Sequence, residues 1–142
     1  MNTQTFNTKE EFFLDMLEFY TQDTDRRCID ENDNCLYYFE GKEGCAIGRF
    51  LDKKVAQDLD DGELKIQTAI NRNVAGIPEW MLGLEAVFLQ DIQLFHDQDI
   101  YWDLTNKTLS NEGKQQVEKI LRDYDISEEK FKNILNECKR RI

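Results

Sequence analysis

The sequence predicts a single, mainly α-helical domain of the α+β class, spanning residues 1–142 and carrying one small β-hairpin. Three observations lead there. Apolar residues recur at the three-and-four spacing of a helix face along most of the chain. One short run is rich in strand formers and meets a glycine turn. A single proline and seven glycines are too little punctuation for a turn-rich all-β fold. With 142 residues the chain can close one core without a disulfide or a metal.

The elements follow in order. Thr8 and Glu11 have the spacing of a capping box, and Phe12, Phe13, Met16, Leu17 and Tyr20 share a face, so a first helix runs to about residue 20. Residues 21–34 are polar and acidic and read as a loop. Cys35-Leu36-Tyr37-Tyr38-Phe39-Glu40, the turn Gly41-Lys42-Glu43-Gly44 and Cys45-Ala46-Ile47 read as the hairpin. Ile47, Leu51, Val55 and Leu59 then define a second helix from about Gly48 to Gly62. Residues 63–71 form a short third helix, followed by a loop over 71–77.

Pro78 suits a first helical position, and residues 79–96 read as one central helix. Met81, Leu84, Phe88, Ile92 and Phe95 line one face of it, and Val87 and Leu94 widen that face, as a heavily buried helix requires. Residues 97–109 read as a connection bearing Tyr101 and Trp102. Ser110 caps a helix carrying Val117, Ile120, Leu121 and Tyr124. The last helix carries Phe131, Ile134, Leu135 and Cys138 and ends in Lys139-Arg140-Arg141, cations that suit a helix C-terminus. The last two helices are expected to pair as an antiparallel hairpin.

The net charge of −11 disfavours binding to nucleic acid or to an anionic membrane surface, because phosphates are repelled. It favours solubility and a partner protein with a basic surface. No run of apolar residues is long enough to span a bilayer. Met1-Asn2-Thr3-Gln4-Thr5 lacks the basic and apolar regions of a signal peptide, so a cytoplasmic protein is expected.

Chemistry-bearing residues concentrate in 28–51 and 89–102. Cys28, Cys35 and Cys45 with His96, the only histidine, have the ligand types of a closed zinc site. Their spacings lack the Cys-x-x-Cys knuckle that fixes paired ligands, so buried thiols are the preferred reading and no cofactor is expected. Cys138 belongs to an apolar helix face.

His96 as a general base needs an orienting carboxylate. Neighbouring helical residues point about 100° apart, which disfavours Asp97 and leaves Asp91 or Asp99. A hydrolase centred on His96 and Cys45 is one reading, with no residue marked as an activated nucleophile. Lys42, Gly48 and Arg49 suggest an anion held at a helix start, with Arg72 or the C-terminal cations assisting. The order of residues is not that of a P-loop. The stretches 58–69 and 30–35 lack the glycine position or distal glutamate of a calcium loop. Asp30, Glu31 and Asp33, with Asp58, Asp60 and Asp61, form two acidic patches that could meet a basic partner or imitate a nucleic-acid backbone.

As an ordered set, Cys35-Leu36-Tyr37, Cys45-Ala46-Ile47-Gly48-Arg49-Phe50-Leu51, Phe88-Leu89-Gln90-Asp91-Ile92-Gln93-Leu94-Phe95-His96-Asp97, Tyr101-Trp102 and Leu109-Ser110-x-x-Gly113 resemble a broad group of small phage and prophage proteins. Phe95 stands where a leucine is more usual, a conservative change. The resemblance brings no activity. It implies a small intracellular protein in which Cys35, Cys45, Gly48, His96, Asp97 and Trp102 meet around one local structure. The leading expectation is a non-enzymatic accessory protein of phage origin that binds and modulates a host protein. A binder of a small anionic ligand such as a nucleotide signal is the first alternative, and the hydrolase is the second.

Overall fold

A computed structural model describes residues 4–27, 36–38 and 45–141, with side chains through residue 136. Among these residues the fold is mainly helical, with seven α-helices and one two-stranded antiparallel pair, as the composition and periodicity predict. None of the described helices is long and apolar enough to cross a membrane. The described residues group into two compact units, one within 4–7 and 27–97, the other within 8–26 and 98–141.

The second unit contains the first helix, α1 (Lys9–Gln22). Thr8 caps it by accepting the Glu11 amide at 3.1 Å, and Phe12, Phe13, Met16, Leu17 and Tyr20 are fully buried. Arg26 follows in a 3-10 turn, donates to the Phe19 carbonyl at 3.0 Å and lies over the Phe19 ring. It supplies the cation that the last turn of α1 lacks.

The strands also lie in this unit. β1 (Trp102–Asp103) pairs with β2 (Thr108–Leu109) in the stretch expected to be a plain connection. Asp103 makes the turn between them by accepting the amides of Thr105 and Asn106, an Asx turn that strand propensity does not register. Of the hairpin expected over 35–47, residues 36–38 and 45–47 carry no strand, and 35 and 39–44 lie outside the described residues.

Ser110 caps α6 (Asn111–Asp123) by accepting the Gly113 amide at 3.0 Å, and its hydroxyl donates to the Ile100 carbonyl at 2.5 Å. Phe131 is buried in a 3-10 turn just before α7 (Lys132–Arg141), where its ring meets Phe13. α7 packs mainly on α1 and β2, and α6 on the 3-10 turn Asp99–Tyr101, so the two helices are not each other's main partners as expected. The side chains of Cys138, Lys139, Arg140 and Arg141 lie outside the described residues.

The first unit holds four further helices: α2 (Lys53–Asp61), α3 (Ile66–Asn71), α4 (Glu79–Leu82) and α5 (Ala86–Asp97). The expected helix from Gly48 splits in two. Gly48–Phe50 is a 3-10 turn, the chain extends at Leu51, and α2 starts afresh behind an Asp52 cap. Ile47 and Leu51 are buried all the same, so their shared apolar character reflected the core and not a common helix. α2 ends as expected near Gly62. Glu63 adopts a left-handed conformation there, which delays α3 to Ile66.

The expected central helix over 79–96 is likewise two helices. Pro78 caps α4 rather than opening it, and after Gly83 the chain turns through Glu85 at φ 73°. An apolar period that continues in phase across a one-turn break cannot reveal the break. α5 packs chiefly on α3, and Phe88, Leu89, Ile92 and Phe95 bury its inner face. Each such side chain contributes roughly 1.5–3 kcal/mol.

Candidate functional site

The residues of chemical interest in the first unit are organised by one close approach. Gly48 lies so near Tyr37 that an added Cβ would stand 2.0 Å from the Tyr37 carbonyl oxygen. The Leu36–Tyr38 segment is clamped from its other side. Both oxygens of Asp60 accept backbone amides, Oδ1 from Tyr37 at 2.8 Å and Oδ2 from Tyr38 at 3.0 Å. The Tyr37 hydroxyl donates to the Leu64 carbonyl at 2.8 Å. Burial pushes the Tyr37 phenol far above its ordinary value, and the neighbouring Cys45, Asp97 and Asp60 push the same way. Asp60 is itself raised, chiefly by its own desolvation and against the pull of the two amides.

Cys45 is fully buried, and its sulfur accepts the Gly48 amide at 3.1 Å. The start of the 3-10 turn is therefore a packed corner whose amide serves the cysteine. The Arg49 guanidinium lies over the Phe50 ring, 4.5 Å from its centre. These are the positions from which an anion site at Gly48 and Arg49 was expected. Lys42 lies outside the described residues. Arg72 sits exposed at the end of α3.

His96, on the last turn of α5, is fully buried. Its Nδ1 lies 2.7 Å from Asp97 Oδ1, which also accepts from Gln93 Nε2 at 2.9 Å. Asp97, and not Asp91 or Asp99, is therefore the carboxylate that orients the ring. The 100° argument fails because Asp97 is the last residue of the helix and its carboxylate folds back toward the ring. Burial lowers the His96 pKa, and the charges of Arg27 and Arg49 lower it further, overcoming Asp97. A neutral ring facing a carboxylate must carry its proton on Nδ1. Arg27, also buried, donates from Nε to the His96 carbonyl at 2.9 Å and so caps the end of α5. Cys45 and His96, the pair on which the hydrolase reading was centred, are both fully buried.

Among the described residues no three His, Cys, Asp or Glu side chains converge as metal ligands. Cys28 and Cys35, needed for the zinc alternative, lie outside them, as do Asp30, Glu31 and Asp33. Trp102 belongs to the second unit and packs edge-on against Tyr20 there. Asp58 and Asp61 are exposed on α2, with Asp58 paired to Lys54 at 2.8 Å, whereas Asp60 is half-buried as the clamp.

Beside the clamp a cleft of about 390 Å³ opens between the Leu36–Tyr38 segment, the end of α2 and α5. Leu36, Leu59, Leu64 and Leu94 form its apolar walls, and among the described residues its charged lining is Asp60, Glu63 and Asp97 with one cation, Lys65. Two glutamines of α5 complete the lining. Gln90 accepts the Gln67 amide at the start of α3. Gln93 is 6 % exposed, and its Oε1 is buried with no hydrogen-bond donor among the described residues. Sequence reasoning missed the glutamines and Arg27. The available signal was Gln93 standing four residues before Asp97 on a helix, a spacing at which an amide and a carboxylate meet.

No protein-family model, curated protein or solved structure matches the chain.

Proposed function

We propose that this is a small acidic accessory protein, without catalytic activity of its own, that binds a protein with a basic surface and modulates it. In the phage setting that the motif resemblance implies, the partner is a host protein and the site of action the host cytoplasm. The cleft of the first unit carries this reading. Among the described residues three carboxylates and one ammonium line it, and Asp58 and Asp61 stand exposed on the adjoining helix. A net charge of −11 adds a long-range field that speeds encounter with a cationic surface.

The test is affinity capture from cell lysate at low and high salt, with the wild-type chain and with a variant carrying Asp58→Asn and Asp61→Asn. Both side chains are exposed, so the fold tolerates the change. The expected result is one basic protein retained at low salt, released at high salt and weakened in the variant, which then binds the purified protein with the same salt dependence. Retention indifferent to both salt and the substitutions refutes the reading.

A further inference from the structure

Among the described residues that line the cleft, Gln93 is the one with a buried polar atom left over. Its amide nitrogen donates to Asp97 at 2.9 Å, which identifies the other end of the carboxamide as Oε1, an acceptor with no donor among the described residues. A buried acceptor without a donor costs free energy that a matching ligand would recover. The surroundings specify that ligand. Asp60 has no cation within ion-pair distance among the described residues, and Glu63 adds an exposed carboxylate at the rim. Leu36, Leu64 and Leu94 offer an apolar wall. A group that suits both is a cationic donor on a methylene stem, which lays the stem on apolar surface and keeps its charge at the polar end.

We propose that the cleft receives a lysine or arginine side chain, its stem along Leu36, Leu64 and Leu94 and its N–H groups on Gln93 Oε1 within the field of Asp60, Glu63 and Asp97. This rests on the reading above and names the part of the basic partner that docks. The last torsion of a glutamine is soft, so a small rotation turns Oε1 toward an entering donor. The raised pKa of Asp60 agrees with a carboxylate short of a counter-cation.

The test is an NMR titration of the full chain with capped Gly-Lys-Gly and Gly-Arg-Gly, using capped Gly-norleucine-Gly as the stem without the charge. The cationic peptides are expected to saturate shifts at the Gln93 side-chain amide and the Tyr37 and Tyr38 backbone amides, and norleucine is not. Gln93→Met keeps the volume and removes the acceptor, and Glu63→Gln removes an exposed charge. Each is expected to weaken the cationic peptides by about five-fold or more. Shifts that spread over exposed carboxylates, or that survive both variants, overturn the inference, as does equal binding of norleucine. If the cleft stays silent while the basic partner is still captured through Asp58 and Asp61, only this inference falls. If no partner is captured either, both fall.

Discussion

Replacing Gly48 by alanine tests the architecture on which the site depends. The added Cβ would stand 2.0 Å from the Tyr37 carbonyl oxygen, where ordinary contact begins at 3.4 Å, so the two backbones must part by about 1.4 Å. The Tyr37 side cannot yield cheaply. Its amide and that of Tyr38 are tied to Asp60 at 2.8 and 3.0 Å, and a displacement of that size takes both bonds out of range. Gly48 cannot yield cheaply either, since its amide is held by Cys45 and both residues are buried. Overpacking costs about 1–3 kcal/mol, and each lost bond to a charged acceptor about 1.5 kcal/mol or more. Strain and breakage are partly alternatives, so the expected loss is about 3 kcal/mol. Urea unfolding reads this as a drop in midpoint of about 1.5 M at a slope of about 2 kcal/mol/M. Gly62→Ala is the control, because a Cβ there first meets an atom at 3.4 Å and a change below about 0.5 kcal/mol is expected. With Asp60→Asn present, Gly48→Ala should cost less, since the clamp is already weakened. A Gly48→Ala protein within about 0.5 kcal/mol of wild type would refute the close approach and the clamp together.

Two further outcomes follow from the same geometry. His96 has a folded-state pKa below the 6.5 of an unfolded histidine, so the unfolded chain takes the proton first. Its stabilising contribution is complete above pH 6.5 and is lost as pH falls from there through the lower folded value, by up to about 1.4 kcal/mol per pH unit. Urea midpoints measured between pH 7.5 and 5.5 should fall in wild type and stay flat in His96→Asn, whose amide replaces the Nδ1–H donor; an equal decline in both assigns the effect elsewhere. In the second unit, Ser110→Ala removes the cap of α6 and the bond to the Ile100 carbonyl. A loss of about 1–2 kcal/mol is expected, with Ser110→Asp recovering part of it through the cap alone, and a neutral alanine variant would refute the capping role.

The sequence by itself determined the helical class, because burying an amphipathic face is a local rule that Phe12, Phe13, Met16, Leu17 and Tyr20 obey in α1 and Val117, Ile120 and Leu121 obey in α6. It also determined the caps at Thr8 and Ser110, since a cap joins a side chain to an amide three residues away. What it could not show was where continuous periodicity is interrupted. The breaks at Leu51–Asp52 and at Glu85 are decided by backbone turns, and the apolar residues on either side stay buried whether or not the helix continues. The short strands at Trp102 and Leu109 depend on a turn made by the Asp103 side chain and not on strand propensity. The site was the least legible part. Gly48, Cys45, His96 and Asp97 stood out as unusual residues, and Cys45 with Gly48 and His96 with Asp97 are local pairs, but what holds the site together came from partners farther along the chain: Tyr37 against Gly48, Asp60 on the Tyr37 and Tyr38 amides, Arg27 on the His96 carbonyl. Gln93 looked like one more polar residue on a helix. Only the tertiary structure buries its carboxamide beside a carboxylate-lined cleft and, among the described residues, supplies a partner for one end alone. Local spacing specifies which groups a chain carries, but whether a polar atom is satisfied depends on everything that packs around it.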